Sequence, residues 1–236
     1  MLNFEIVTPP AFLASVPVKH PTDVQATYAL TNWAGWAATG NIGNYFLAEG
    51  YWNEVSVGSS CAGSDELTWA GLGGLASSVL AQDGTAMNVP GLAQHQAWSE
   101  VLPDQGNVVA INIYGAAGYG FVAMTEHFSG YYEFYVYSYA NGTSSVTYTY
   151  TSHYTGDSAD FVIERGSHNG GLVPLSNFFY LNYKDAWVNG TSSGHGVGNY
   201  QNQNINMFSS DYSHLLANTG SLSNNTTFTV SYNNCQ

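Results

Sequence analysis

The sequence predicts an all-β protein, a two-sheet antiparallel β-sandwich of the concanavalin-like jelly-roll kind. Three observations carry this. Side chains alternate with period two over residues 131–139, where Tyr131, Glu133, Tyr135, Tyr137 and Tyr139 fall on one face and Tyr132, Phe134 and Val136 on the other. Glycine-rich and Asn/Ser-rich turns, drawing on 26 glycines, separate strand-like runs at short spacing. The 236 residues contain neither an internal repeat nor a dividing linker, which suits one sandwich domain over 1–236.

In chain order the strand-like runs are 45–57, 67–72, 108–114, 120–126, 131–139, 146–151, 159–164, 178–182, 204–209 and 226–232. The runs 131–139 and 146–151 form a hairpin. Asn141-Gly142 supplies a turn in which positive φ is cheap, and Val146, Tyr148 and Tyr150 alternate with Thr147, Thr149 and Thr151. A short helix is expected over 75–81.

Charge narrows the function classes. Three Lys+Arg stand against 16 Asp+Glu, a net charge of −13, which excludes nucleic acid and anionic membranes as partners. The longest apolar stretch, 108–124, is too short for a bilayer and is interrupted by Asn112 and glycines. No leader is legible, since Glu5 interrupts the start, so an extracellular location is expected on the premise that one has been removed. With three Lys/Arg, few native ion pairs exist for acid to break, which predicts a protein that stays folded at low pH. Cys61 and Cys235 match no metal spacing. They read as one disulfide, with two buried thiols as the alternative. Sequons at Asn141, Asn189, Asn224 and Asn225 fit surface loops of an exported glycoprotein, although Asn-rich chains also produce them by chance.

The common catalytic signatures are missing. His20, His95, His127, His153, His168, His195 and His214 are scattered singly, so no metal is expected, and no loop suits a nucleotide or other cofactor. There is no G-x-S-x-G elbow. Carboxylates and amides on strands remain. An enzyme working in acid has to use these, because His is protonated and thiols are unreactive there.

Several short segments, in order, resemble the glutamic peptidases (eqolisins), exported acid endopeptidases with a β-sandwich fold. Asn32-Trp33-Ala34-Gly35 is similar to the family's N-W-x-G. Trp69-Ala70-Gly71-Leu72-Gly73-Gly74 and Leu80-Ala81-Gln82-Asp83-Gly84 resemble W-x-G-[IL]-x-G and the strand ending L-x-Q-x-G or L-Q-x-G. Ala97-Trp98-Ser99-Glu100-Val101-Leu102-Pro103 resembles A-W-x-E-x-x-P. Ala159-Asp160-Phe161-Val162-Ile163-Glu164 resembles A-E-[FW]-I-[IV]-E, and Val173-Pro174-Leu175-Ser176-Asn177-Phe178 resembles V-P-[FL]-x-x-F. The likeness runs from Asn32 to Phe178. It departs from the family at Gly73, where Asp is common, and at Val101 and Leu102, which replace aromatics.

The resemblance implies that Gln82 and Glu164 are the catalytic pair of a pepstatin-insensitive acid endopeptidase acting on proteins or peptides; a monomer is expected. Glu164 would be general base and then acid on a water, and Gln82 the oxyanion donor. Strand parity agrees: Phe161 and Ile163 belong to the core, leaving Glu164 on the opposite, cleft-lining face, with Arg165 pointing away from it. Trp98 and Glu100 share a face. Glu100 is expected to support Gln82 or the water, with Trp69 and Trp98 shaping the cleft and Trp33 in the core. Two competing readings keep the same fold. One is a jelly-roll glycoside hydrolase using Glu100 and Glu164, or Glu133 and Glu164. The other is a non-enzymatic carbohydrate-binding surface module with stacking aromatics.

Overall fold

The computed structural model describes residues 4–5, 27–58, 61–105 and 107–236; His20 lies outside them. In chain order the strands are β1 (Phe4–Glu5), β2 (Thr27–Leu30), β3 (Trp33–Thr39), β4 (Leu47–Asn53), β5 (Glu66–Gly73) and β6 (Leu80–Met87). Next come β7 (Gln96–Leu102), β8 (Val109–Tyr114), β9 (Gly120–Phe128), β10 (Tyr131–Ser138), β11 (Thr143–Tyr150) and β12 (Ser158–Glu164). The last are β13 (Ser167–His168), β14 (Gly171–Leu172), β15 (Tyr180–Val188), β16 (Asn202–Phe208), β17 (Leu215–Thr219) and β18 (Phe228–Tyr232).

The strands form an antiparallel β-sandwich, as predicted. The pairing path β11-β10-β9-β4-β15-β18-β17-β16-β3-β12-β5-β6-β7-β8 folds over on itself, so that β4, β9 and β10 of the back layer pack on β5, β6 and β12 of the front. Between the layers lies a core built on Trp36, Trp52, Phe121, Phe134, Phe161 and Tyr183. A second apolar cluster, with Trp33, Leu67, Trp69, Leu80, Trp98, Val162 and Ile205, occupies the other face of the front layer.

The tyrosine hairpin is found as read: Tyr132, Phe134 and Val136 are buried while Tyr131, Glu133, Tyr135 and Tyr137 face outward. The helix expected over 75–81 does not form. Gly73 and Gly74, at φ +81° and +93°, turn the chain out of β5, and Leu80 and Ala81 then pair with Gly73 and Leu72 as the start of β6. Strand pairing overrides the weak helical pattern there. A Cβ at Gly73 would also sit 2.3 Å from the Val79 carbonyl, which accounts for glycine at this departure from the family pattern. The run expected over 178–182 continues to Val188 after a bulge between Tyr183 and Asp185. The run over 45–57 pairs only from Leu47 to Asn53, beyond which Glu54 turns inward to Trp52, Thr85 and His95.

Cys61 and Cys235 form a disulfide across 174 positions of sequence. Asn141, Asn224 and Asn225 are exposed in turns, whereas Asn189 is half-buried with both ends of its amide bonded. No helix among the described residues is long and apolar enough to cross a membrane.

Candidate active site

The site follows from the register of the front layer. Residues directly opposite one another in adjacent strands share a face, so each cross-strand row can be traced through the sheet. One row runs Gln203, Ala37, Asp160, Gly71, Gln82, Glu100. The next runs Ile205, Gly35, Val162, Trp69, Gly84, Trp98, and the third carries Trp33, Glu164, Leu67 and Ala86. The six side chains singled out in the sequence, Trp33, Trp69, Gln82, Trp98, Glu100 and Glu164, therefore all stand on the face turned away from the inter-sheet core. Curvature draws opposite corners of this face together: the Trp33 ring and the Leu80 side chain both lie about Gly74, where an added Cβ would be 3.0 and 3.1 Å from them.

Three of the rows' central positions are glycines. A Cβ at Gly84 would lie 1.9 Å from the Thr68 carbonyl oxygen and 2.7 Å from the Trp69 Cα, and one at Gly35 would lie 1.9 Å from the Phe161 carbonyl oxygen. At Gly71 it would meet the Gln82 Cβ at 3.0 Å. These glycines allow close strand approach and leave a bare floor between Trp69, Trp98 and Gln82.

Glu164 is held at both carboxyl oxygens. Asn32 Nδ2 donates to Oε1 at 3.1 Å and Trp69 Nε1 donates to Oε2 at 2.9 Å. The Trp33 indole, edge-on to Trp69 with centroids 4.9 Å apart, points its N–H at the same carboxyl without reaching hydrogen-bond geometry. Burial, and then the nearby Glu100, push the Glu164 pKa well up, against the lowering pull of these donors. Gln82 Nε2 donates to Glu100 Oε2 at 2.9 Å, which fixes the amide's orientation, while Gln82 Oε1 and Trp98 Nε1 have no hydrogen-bond partner among the described residues. Where the sequence reading expects a cleft-lining pair, Gln82, Glu100 and Glu164 are each 0 % exposed. Glu133 stands on the outer face of the back layer, so it does not pair with Glu164; alternation along β10 turns it away from the core. Arg165 does point away from Glu164, donating instead to the Thr31 carbonyl and to Ser210.

Sequence reasoning gives Asn32 only a place in the N-W-x-G motif and gives Tyr183 no part. Both support the site. Tyr183 Oη reaches across the core to the carbonyls of Trp69 and Val162 at 2.8 and 2.9 Å, tying β5 to β12 beneath Glu164. Thr125, also from the back layer, lies 2.9 Å from Asp83 and 3.3 Å from the Ala70 carbonyl, behind Gln82. Thr125 Oγ1 donates to Asp83 Oδ1, against the upward push of burial on the Asp83 pKa. The Asn32 motif was visible in the sequence; no local signal marked Tyr183. Among the described residues no three His, Cys, Asp or Glu side chains are grouped to hold a metal.

The family model of the peptidase A4 family matches residues 31–232. The fold is similar to scytalido-glutamic peptidase crystallised with a peptide-based transition-state analogue (TM-score 0.68, 19% identity, 86% of this chain and 98% of the other). It is also similar to SCP-B, a member of the eqolisin family solved in complex with the tripeptide Ala-Ile-His (TM-score 0.64, 17% identity, 86% and 98% coverage). Among curated proteins, none matches this sequence. A match that takes in Asn32 and every strand that carries Gln82, Glu100 and Glu164 sets the chain among peptidases and away from the glycosidase and binding-module readings: it belongs to the peptidase A4 family.

Proposed function

We propose that this chain is a secreted acid endopeptidase that hydrolyses peptide bonds by a Gln82/Glu164 mechanism without a covalent intermediate, and that pepstatin does not inhibit it. The supporting observation is the pairing of supports on one face: Glu164 gripped by Asn32 and Trp69, and the Gln82 amide fixed by Glu100 with its carbonyl oxygen unpartnered. In this reading the Glu164 carboxylate takes a proton from water as the water adds to the scissile carbonyl, then returns it to the leaving amine. Gln82 Oε1 accepts a hydrogen bond from that water, and the second N–H of Gln82 Nε2 donates to the developing oxyanion. An amide suits acid because its donor does not titrate there. Peptide entry requires the buried pair to become accessible.

The test is cleavage of a quenched fluorescent peptide from pH 2 to 7 with pepstatin present. Wild type should be active in acid, Glu164→Gln should lose nearly all turnover, and Gln82→Ala should lose about 10²–10³-fold in kcat. Turnover by Gln82→Ala within a fewfold of wild type would remove the oxyanion role.

A further inference from the structure

A groove of about 640 Å³ opens at the far end of the Gln82 row. That is the size of a small-molecule or peptide subsite. Its lining includes Tyr28, Asn41, Asn44, Leu75, Gln201 and Gln203, and among the described residues contains no Asp, Glu, Lys or Arg. Tyr28 and Leu75 also pack against the apolar cluster that holds Trp33, Trp69 and Trp98, so groove and candidate site share one face. Gln203 is 9 % exposed, and its Oε1 has no hydrogen-bond partner among the described residues. A buried amide oxygen left without a donor is costly, by about 1–3 kcal/mol, and points to a ligand that supplies one. Of the three tyrosines at the groove, Tyr45 donates its hydroxyl to the Thr39 carbonyl and Tyr200 to the Val188 carbonyl, which leaves these two ring surface to offer.

Four strand spacings separate Gln203 from Gln82 along their row. At about 4.8 Å each that is roughly 19 Å, or about five or six residues of an extended peptide. We propose that this groove is a remote subsite, resting on the peptidase reading above, that holds an uncharged polar stretch of the substrate about five or six residues from the bond cut. Gln203 Oε1 accepts from a backbone N–H or a side-chain amide of that stretch. A lysine or arginine there would lose its hydration with no counter-charge among the described lining residues.

Two series of quenched peptides test this, each extending a short cleavable core by eight Ser/Gln-rich residues, one toward the amino end and one toward the carboxyl end. Extension on one side should raise kcat/KM about tenfold, and lysine five or six residues from the cut should remove the gain. Gln203→Leu should bring the long-to-short ratio to about one, while Gln203→Glu, which keeps an acceptor, should retain most of it. Asn41→Asp on the exposed rim should relieve the lysine penalty at pH 5, which keeps the proposal testable if the buried substitutions fail to fold. A wild-type ratio near one on both sides overturns the subsite but leaves the peptidase reading standing, as does a Gln203→Leu enzyme that slows long and short peptides equally. If wild type cuts no peptide of any length, both readings fall together.

Discussion

The Glu164 carboxyl sits between two opposed influences, and each has a residue that can be removed. Asn32 and Trp69 donate to it and favour the charged form; Glu100 repels that form, and burial opposes it most of all. Because the proposed base must be ionised, activity should rise along an acid limb set by its pKa in the free enzyme. Trp69→Phe or Asn32→Ala removes a donor, so the limb in kcat/KM should move to higher pH. Glu100→Gln removes the like charge yet keeps an acceptor for Gln82 Nε2, so the limb should move to lower pH. Shifts in the same direction for both kinds of variant would mean that Glu164 is not the group titrating. The sequons divide on similar grounds. Asn141 is exposed and engages only its Oδ1, whereas Asn189 Nδ2 donates to the Asn44 carbonyl at 2.8 Å. Expressed in a glycosylating host, the chain should carry a glycan on Asn141 and none on Asn189, as intact-mass and peptide mapping would show. The Asn32–Glu164 bond spans 132 positions of sequence and exists through the β3–β12 register, so the motif was legible while the contact was not.

The half-exposed strand β10 and the fully buried strands β5 and β12 were all read from the sequence, as 131–139, 67–72 and 159–164, whereas β6 was not. β10 alternates exposed or half-buried with buried residues, and its boundaries were legible within a residue. In β5, β6 and β12 every residue is buried, because the core covers one face and the second apolar cluster covers part of the other. Without period two a short buried run does not by itself distinguish strand from helix, which is how the start of β6 passed for helix. The same closeness makes β6 intolerant of added volume. Gly84→Ala would place a Cβ 1.9 Å from the Thr68 carbonyl oxygen and should destabilise by about 3 kcal/mol or prevent folding. At Gly118, in an open turn at φ +85°, nothing lies within 4 Å, and alanine there should cost only about 1 kcal/mol of backbone strain. Urea denaturation of the two variants compares them directly. The disulfide anchors the carboxyl end to the segment leading into β5, where Leu175 N also donates to the Cys235 carbonyl. Cys235→Ser should lower unfolding free energy by about 2–5 kcal/mol, given the length of loop released. A change below 1 kcal/mol would show that the link does little in the folded protein's favour.

Across the whole molecule the acidic residues are placed to favour acid, for a reason the composition only partly conveys. Few cations leave few ion pairs to break; burial of carboxyl groups goes further and reverses the usual sign. Glu54, Asp65, Glu66, Asp83, Glu100, Asp160 and Glu164 are all at most 4 % exposed. Desolvation is the largest cause of the upward shifts at Asp65, Glu66, Asp83, Asp160 and Glu164, with Glu66 reaching about 8. A carboxyl whose pKa is higher folded than unfolded binds more protons in the native state between those two values. Its contribution is therefore fully present below about pH 4 and is lost as pH rises through the native value. For Glu66 alone the loss is on the order of 5 kcal/mol, comparable to the whole stability of many domains. His168 is raised chiefly by its hydrogen bond to Asp65, which needs that carboxyl ionised, so the two shifts belong to one coupled pair and do not add. The opposing groups are Asp104 and Asp211, lowered by hydroxyl donors at the solvent-exposed surface, where screening leaves them little weight, and His127, lowered by burial. Thermal melts should give the highest Tm near pH 3 to 4 and a steady fall toward pH 8, with Glu66→Gln flattening part of that fall. A Tm that climbs from pH 4 to 7, as in proteins held by surface ion pairs, would mean that Glu66, Asp83 and Asp160 are not protonated in the folded state; Glu164, the proposed base, stands outside this set.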